Sequence, residues 1–373
     1  MKTLGLYIDF PFCIARCAFC AFDVEGYRVR WAERYMAALH QEIETYAASP
    51  ETAGRQITSI YLGGGTPSRY PAAVLDKLLS RCRDRFEIAG DAEITLEAHP
   101  ATINVHNLTD FQKTGINRLS LGMQSFSDEQ LQRLGRRHTA EQAVTAFQTA
   151  RIAGFENIGI DLIYGLPDEK TEGWENTLRQ AIALSPEHIS IYALSIEAGT
   201  LFNRKVREGK LNLPKEVETV MLYERARKLL TCADYKQYEI SNFAKPGYES
   251  RHNLRYWHQE AVRAFGVSGH SYLNGERSVN TDNIPDYIEK LEAGLLPVIE
   301  REKVSPRDAA IDQIIFGLRK IEGIPSEAIT HDPIFKQTGQ TLEDAGLLQK
   351  EAQRIKLTPK GMHFADEVAM AFL

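Results

Sequence analysis

Strand-like and helical segments alternate through the first 200 residues, and this alternation restricts the fold more than any other feature. The strand-like runs are Leu4–Phe10, Ser59–Leu62, Glu93–Glu97, Arg118–Leu121, Ile158–Ile163 and His188–Leu194. Helical periodicity fills the intervals at Ala32–Ala47, Ala72–Phe86, Val105–Thr114, Ala140–Ala153 and Glu172–Leu184. Strand, helix, strand in succession makes parallel βαβ units with right-handed crossovers. A row of them implies an α/β chain built as a full or partial TIM-like (β/α)6 barrel rather than a doubly wound sheet. In such barrels the reactive groups collect where strands end and βα loops begin.

After about residue 200 the pattern changes. A charged stretch, Asn203–Lys215, precedes a helix at Glu216–Ala233, then Tyr238–Phe243 and the aromatic segment His252–Trp257. The tail reads as helices, a short strand pair around Leu348–Leu357 and a last helix at Pro359–Leu373. The expected division is a core barrel at 1–200, an α+β extension at 201–303 and a winged-helix-like unit at 304–373. Hydrophobic residues make up 43% and charged residues 25% of 373, enough to bury a core of that size. A net charge of −6 gives no electrostatic footprint for nucleic acid or an anionic membrane. No apolar stretch reaches the roughly 18–20 residues of a spanning helix. Met1–Phe10 enters a strand-like run without the basic flank and apolar stretch of a signal peptide, so the expectation is a cytoplasmic protein.

Three of the five cysteines, Cys13, Cys17 and Cys20, crowd into one loop with C-x3-C-x2-C spacing. That is poor for a disulfide framework and good for metal ligation in a reducing compartment. Thiolates suit iron–sulfur clusters and zinc. Structural zinc takes four protein ligands, and the loop holds no histidine or fourth cysteine. Spacing alone leaves three readings open: a cluster with one open iron, zinc, or unliganded thiols. Cys82 and Cys232 fall in helical patterns and are expected to be small buried thiols. The run Gly63-Gly64-Gly65-Thr66-Pro67-Ser68 ends the second strand, and its glycines let backbone approach a ligand closely.

The cysteine loop resembles the radical S-adenosylmethionine (SAM) signature, in which three cysteines hold a [4Fe–4S] cluster and the open iron chelates SAM. The resemblance implies that Phe19 lies near the adenine and that Gly64, Gly65 and Thr66 belong to the loop holding the SAM amine. It extends over most of the chain to the coproporphyrinogen-oxidase-like branch, which contains oxygen-independent oxidases and haem chaperones. Tyr7, Glu97 in Leu-Glu-Ala-His, Gln124 in Gly-Met-Gln-Ser-Phe, Arg136 in Leu-Gly-Arg-Arg-His and Asp161 in Ile-Asp-Leu-Ile-Tyr-Gly-Leu-Pro fall on that branch's motifs. By resemblance they contact SAM; an arginine fork suits its carboxylate, and carboxylates suit ribose hydroxyls.

Three features make the chain more similar to the chaperones than to the oxidases. Phe22 stands where the oxidases carry a fourth cysteine, and Cys13 comes without their long preceding segment. His252-Asn253-Leu254-Arg255-Tyr256-Trp257 is similar to the chaperones' H-N-x-x-Y-W segment. Chemistry leaves His252 two roles, a hydrogen-bonded histidine at a junction or, by the resemblance, an axial haem ligand. The chain departs from the branch at Asp9, Ala21, His99 and around Gly266–Ser271. The implied function is a haem chaperone with SAM, haem, an electron donor and a client haemoprotein as partners. The alternatives are a radical methyltransferase using two SAM molecules and a porphyrinogen decarboxylase, so enzymatic activity is left open. A porphyrin-like or other small-molecule substrate would then replace haem.

Overall fold

A computed structural model describes residues 2–22 and 24–373; Met1, the first residue of the strand-like start, lies outside them. The expected strands and helices form, in order: β1 (Lys2–Phe10), α1 (Val29–Ala47), β2 (Arg55–Gly64), α2 (Ala72–Arg85), β3 (Glu87–Ala98), α3 (Val105–Lys113), β4 (Arg118–Gln124), α4 (Ala140–Ile152), β5 (Asn157–Tyr164), α5 (Thr171–Leu184) and β6 (His188–Ala193). Strands β1 to β6 lie side by side in sequence order, all parallel. This is the partial (β/α)6 barrel.

Each strand sorts its residues by alternation. In β1, Leu4, Leu6, Ile8 and Phe10 are fully buried in the main apolar core. The same core takes Ile60 and Leu62, Ile94 and Leu96, Leu119 and Leu121, Ile158, Ile160 and Leu162, and Ile189 and Ile191. The intervening positions carry Tyr7, Tyr61, Thr95, Glu97, Arg118, Ser120, Asp161, His188 and Ser190. Hydrogen bonds between neighbouring strands join several of these, such as Tyr61 to Glu97 and Ser120 to Asp161, so they share the other face. The apolar face meets the helices and the polar face lines the barrel. A polar interior is what a ligand site requires and an ordinary packed barrel lacks.

Beyond β6 the sheet continues rather than closing. The next elements are α6 (Glu216–Cys232), β7 (Asn242–Ala244), α7 (Arg251–Trp257), β8 (Val262–Phe265), β9 (His270–Leu273), β10 (Glu276–Asn280), α8 (Ile284–Glu292), β11 (Val298–Lys303) and α9 (Pro306–Leu318). On one side β7 and the two-residue strand Lys236–Gln237 add to β6 in antiparallel fashion. On the other, β8 pairs in parallel with β1, and β9, β10 and β11 follow antiparallel. The extension and the barrel therefore share one twelve-stranded sheet. The tail packs its own apolar cluster, including Ile314, Phe335, Leu348 and Phe372, around a three-stranded sheet. Cys82 is buried in α2 as expected. Cys232 is exposed: the last turn of α6 packs on the core through Leu230 and leaves Thr231 and Cys232 on the solvent side, which corrects the expectation of a buried thiol.

One buried carboxylate pins the extension to the barrel. Glu42 of α1 accepts hydrogen bonds from the Gly266 N–H (2.9 Å), the Asn280 amide (2.7 Å) and the Tyr287 hydroxyl (2.6 Å). Burial pushes its pKa up to about 7 in spite of these donors. Glu42→Ala would strand three buried donors, and we expect it to cost on the order of 3 kcal/mol. A urea titration should show this as a lower midpoint at unchanged m-value.

Candidate functional site

A cavity of about 460 Å³ opens at the carboxyl ends of the parallel strands. The loop after β1 presents Cys13, Cys17, Phe19 and Cys20 to it. The loop is tied down where Gly65 N–H donates to the Phe10 carbonyl (2.7 Å) and Thr66 N–H to the Phe12 carbonyl (3.1 Å). Glycine is required there. A Cβ on Gly65 would lie 2.6 Å from the Phe10 carbonyl oxygen, and Gly64 has φ +98° with a Cβ position that runs into Asp9. The backbone of Gly64, Gly65 and Thr66 thereby forms the cavity wall beside the thiols.

Thr66 Oγ1 donates to Cys13 Sγ (3.5 Å), and Arg136 Nη1 to Cys17 Sγ (3.5 Å). Burial pushes the Cys13 thiol up to about 11 and raises Cys20 as well, with Cys17 adding to both and Cys20 adding to Cys13. Such a trio becomes thiolate when a cation compensates the charge. The groups hydrogen-bonded to these sulfurs are a hydroxyl and a guanidinium, and zinc takes neither as a fourth ligand. Among the described residues no three metal-binding side chains converge on one ion position. Three soft thiols on a recessed loop, next to room for a ligand, fit a cluster with one iron left open.

The remaining polar groups come from successive strand ends. Glu97 accepts from the Tyr61 hydroxyl (2.8 Å) and the Gly64 N–H (3.2 Å), while burial pushes its pKa up to about 7. Asp161 accepts from Ser120 Oγ (2.9 Å), and burial raises it above the usual carboxylate range. Gln124 sits at a β-bulge with φ +68°. Arg136 donates Nη2 to the Gly122 carbonyl (2.5 Å), and its buried Nε has no partner. All four side chains line the cavity.

Two expected residues stand elsewhere. Tyr7 lies one layer down, stacked on Tyr61 with centroids 5.9 Å apart and planes at 17°. It is Tyr61, which sequence reasoning passed over, that reaches the cavity. His252 lies at the barrel floor and is 1% exposed. Its Nδ1 meets Ser59 Oγ (3.0 Å), its Nε2 meets the Tyr256 hydroxyl (3.3 Å), and its ring lies 5.2 Å from that of Tyr61. Helix α7 is held there by Glu93, whose carboxylate accepts the Arg251 and His252 N–H groups (3.1 Å each), the favourable place for a negative charge. In this conformation His252 is the hydrogen-bonded junction histidine, neutral with its pKa pushed down to about 3 by burial and by Arg255 and Arg118.

Strand-end acids and an arginine around a three-thiol loop, on a partial barrel, define the radical SAM class. Residues 7–181 match the model of the radical SAM superfamily, and residues 304–364 that of the HemN C-terminal domain. The chain is 33% identical to the Bacillus subtilis protein named heme chaperone HemW, over 98% of each chain. It is 39% identical to the Escherichia coli protein of that name, over 72% of this chain and 70% of that one. Among solved structures, E. coli coproporphyrinogen III oxidase (HemN), described as a radical SAM enzyme, superposes with a TM-score of 0.85 at 26% identity. That superposition covers 100% of this chain and 90% of the oxidase. The chain belongs to the HemW family of radical SAM proteins. Membership implies a [4Fe–4S] cluster and SAM.

Proposed function

We propose that the chain is a cytoplasmic haem chaperone, which binds haem and passes it to client haemoproteins. The observation that carries this is the end-to-end similarity to relatives named for that role, spanning 98% of both chains in one case. The division proposed for it is a core at 1–200, an extension at 201–303 and a C-terminal unit at 304–373. Cys13, Cys17 and Cys20 hold the cluster. Once bound, the cluster offers SAM an open iron and one electron, drawn from an external donor. Phe19, Gly64, Gly65, Thr66, Glu97, Gln124, Arg136 and Asp161 hold SAM, and Tyr7 supports them from below through Tyr61. His252 ligates haem iron.

The oxidase fold match supports a second reading, a radical enzyme, but Phe22 replaces the oxidases' fourth cysteine and is 65% exposed beside the loop. Haem titration of the anaerobically reconstituted protein separates the two. The chaperone binds haem at micromolar concentration with a shifted Soret band. If no haem binds there, while the reduced protein turns SAM into S-adenosylhomocysteine and 5′-deoxyadenosine, the radical methyltransferase takes its place.

A further inference from the structure

Arg118 lies inside the barrel but outside the lining of the thiol cavity. It projects from β4, is 1% exposed and donates Nη1 to Thr95 Oγ1 of β3 at a long 3.5 Å, while its Nε has no partner. Its other end crosses toward β5 and β6: a Cβ on Gly159 would lie 3.3 Å from Nη2 and 3.4 Å from His188 Nδ1. Glycine at 159 leaves the guanidinium its place. Thr95 is also the register partner of Arg118, and Glu93 and Glu97 flank Thr95 on the same face of β3. Glu93 therefore stands one layer below and Glu97 one layer above, each about 7 Å along the strand from Thr95. Ser120, two residues beyond Arg118 on β4, donates to Asp161 in the upper layer.

Arg118 forms no ion pair with any of these three carboxylates. A guanidinium keeps its proton in a protein, and burying it unpaired is too costly to be incidental. Burial works against the charge, and Glu93 and Asp161 favour it. His188 and His252, also inside the barrel, are both held neutral, chiefly by burial. Arg118 is thus the cation that the acids face from within, as Asp161 faces Arg136 from the mouth.

We propose that Arg118 is a positioning residue for SAM, a buried counter-charge shared by Glu97 and Asp161 that never touches the ligand. The proposal rests on the reading that these two acids bind SAM. Burial raises both acids, Asp161 raises Glu97 further, and Arg118 pulls both down. The other groups facing Glu97 are Tyr61 on β2, Tyr7 on β1 and Tyr192 on β6, with Asp9 beside Gly64. None of them brings a positive charge. Without Arg118 the two carboxylates would repel each other in a dry interior, and one would take up a proton and lose its capacity to accept from SAM.

The test is equilibrium SAM binding to the full, cluster-loaded chain between pH 6 and 9. In the wild type Glu97 ionises near 7, so affinity should be level above that pH and fall below it. A unit charge about 7 Å away, at an effective dielectric of about 20, moves a carboxylate by about one to two pH units. Arg118→Gln, which can still donate to Thr95, should move the break up by about that much. It should bind SAM roughly tenfold more weakly at pH 7 and recover toward the wild type at pH 9. Arg118→Met is a second neutral variant, and Arg118→Lys, which restores a cation, should bring the break back toward 7. Iron content and circular dichroism check that each variant is loaded and folded. An arginine that serves only packing predicts another pattern, weaker binding at every pH with the break still near 7. That pattern would overturn the proposal, as would wild-type affinity at pH 7 in both neutral variants. A wild-type profile with no break would instead take Glu97 out of the SAM site and remove the reading beneath the proposal.

Discussion

Replacing Cys13, Cys17 and Cys20 together by alanine is expected to abolish iron uptake on anaerobic reconstitution, where the wild type takes about four irons per chain. The loop should keep its shape in the variant, because backbone contacts hold it: Ala18 N–H to Leu134 O, Tyr27 N–H to Cys13 O and Thr66 N–H to Phe12 O. Loss of iron would then report ligation rather than unfolding, and circular dichroism checks the fold. Cys232→Ser is the control, an exposed thiol far along the chain whose removal should leave iron content alone. Because burial holds Cys13 near 11 and raises Cys20, loading must expel their protons, so uptake should be faster at pH 8.5 than at pH 7. Stoichiometric zinc with no iron in the wild type would sink the assignment.

The cysteine loop stands out in the sequence because its spacing is local, and the barrel was legible because alternation is local too. Each expected helix of the barrel formed within a few residues of its bounds, and the strands mainly proved longer. What the sequence concealed depends on partners far away in the chain. Val262-Arg263-Ala264-Phe265 does not look like a parallel strand, since Arg263 interrupts it. In the fold that arginine is buried over the Tyr46 ring and paired with Glu51. Strand β11, Val298–Lys303, is exposed from its second residue on, the charged edge that keeps sheets from pairing further. Tyr61, Ser120 and Ser190 sit mid-strand between apolar neighbours, and only the register shows that they buttress Glu97 and Asp161. The floor histidine was visible as a motif but not as a buried one. Its partner Ser59 is 193 residues away.

Glu97 carries the second large effect. Glu97→Ala should weaken SAM binding by roughly 10–100-fold, the loss of a carboxylate that accepts from charged or hydroxyl donors of the ligand. The iron–sulfur spectrum should not change, because Glu97 touches Tyr61 and the Gly64 backbone and no sulfur. The pH profile gives a sharper check. In the ligand-free protein burial holds Glu97 near 7, whereas binding requires the ionised form. Below pH 7 each bound SAM must therefore displace a proton, and affinity should fall about tenfold per pH unit. Above pH 7 the carboxylate is already ionised and affinity should level off. Glu97→Gln keeps the shape and the acceptor oxygen but cannot titrate, so its affinity should be low and lack this break. Equilibrium binding of SAM to the cluster-loaded protein between pH 6 and 8.5 measures both. A wild-type profile without a break near 7, or one that Glu97→Gln reproduces, would take Glu97 out of the SAM site.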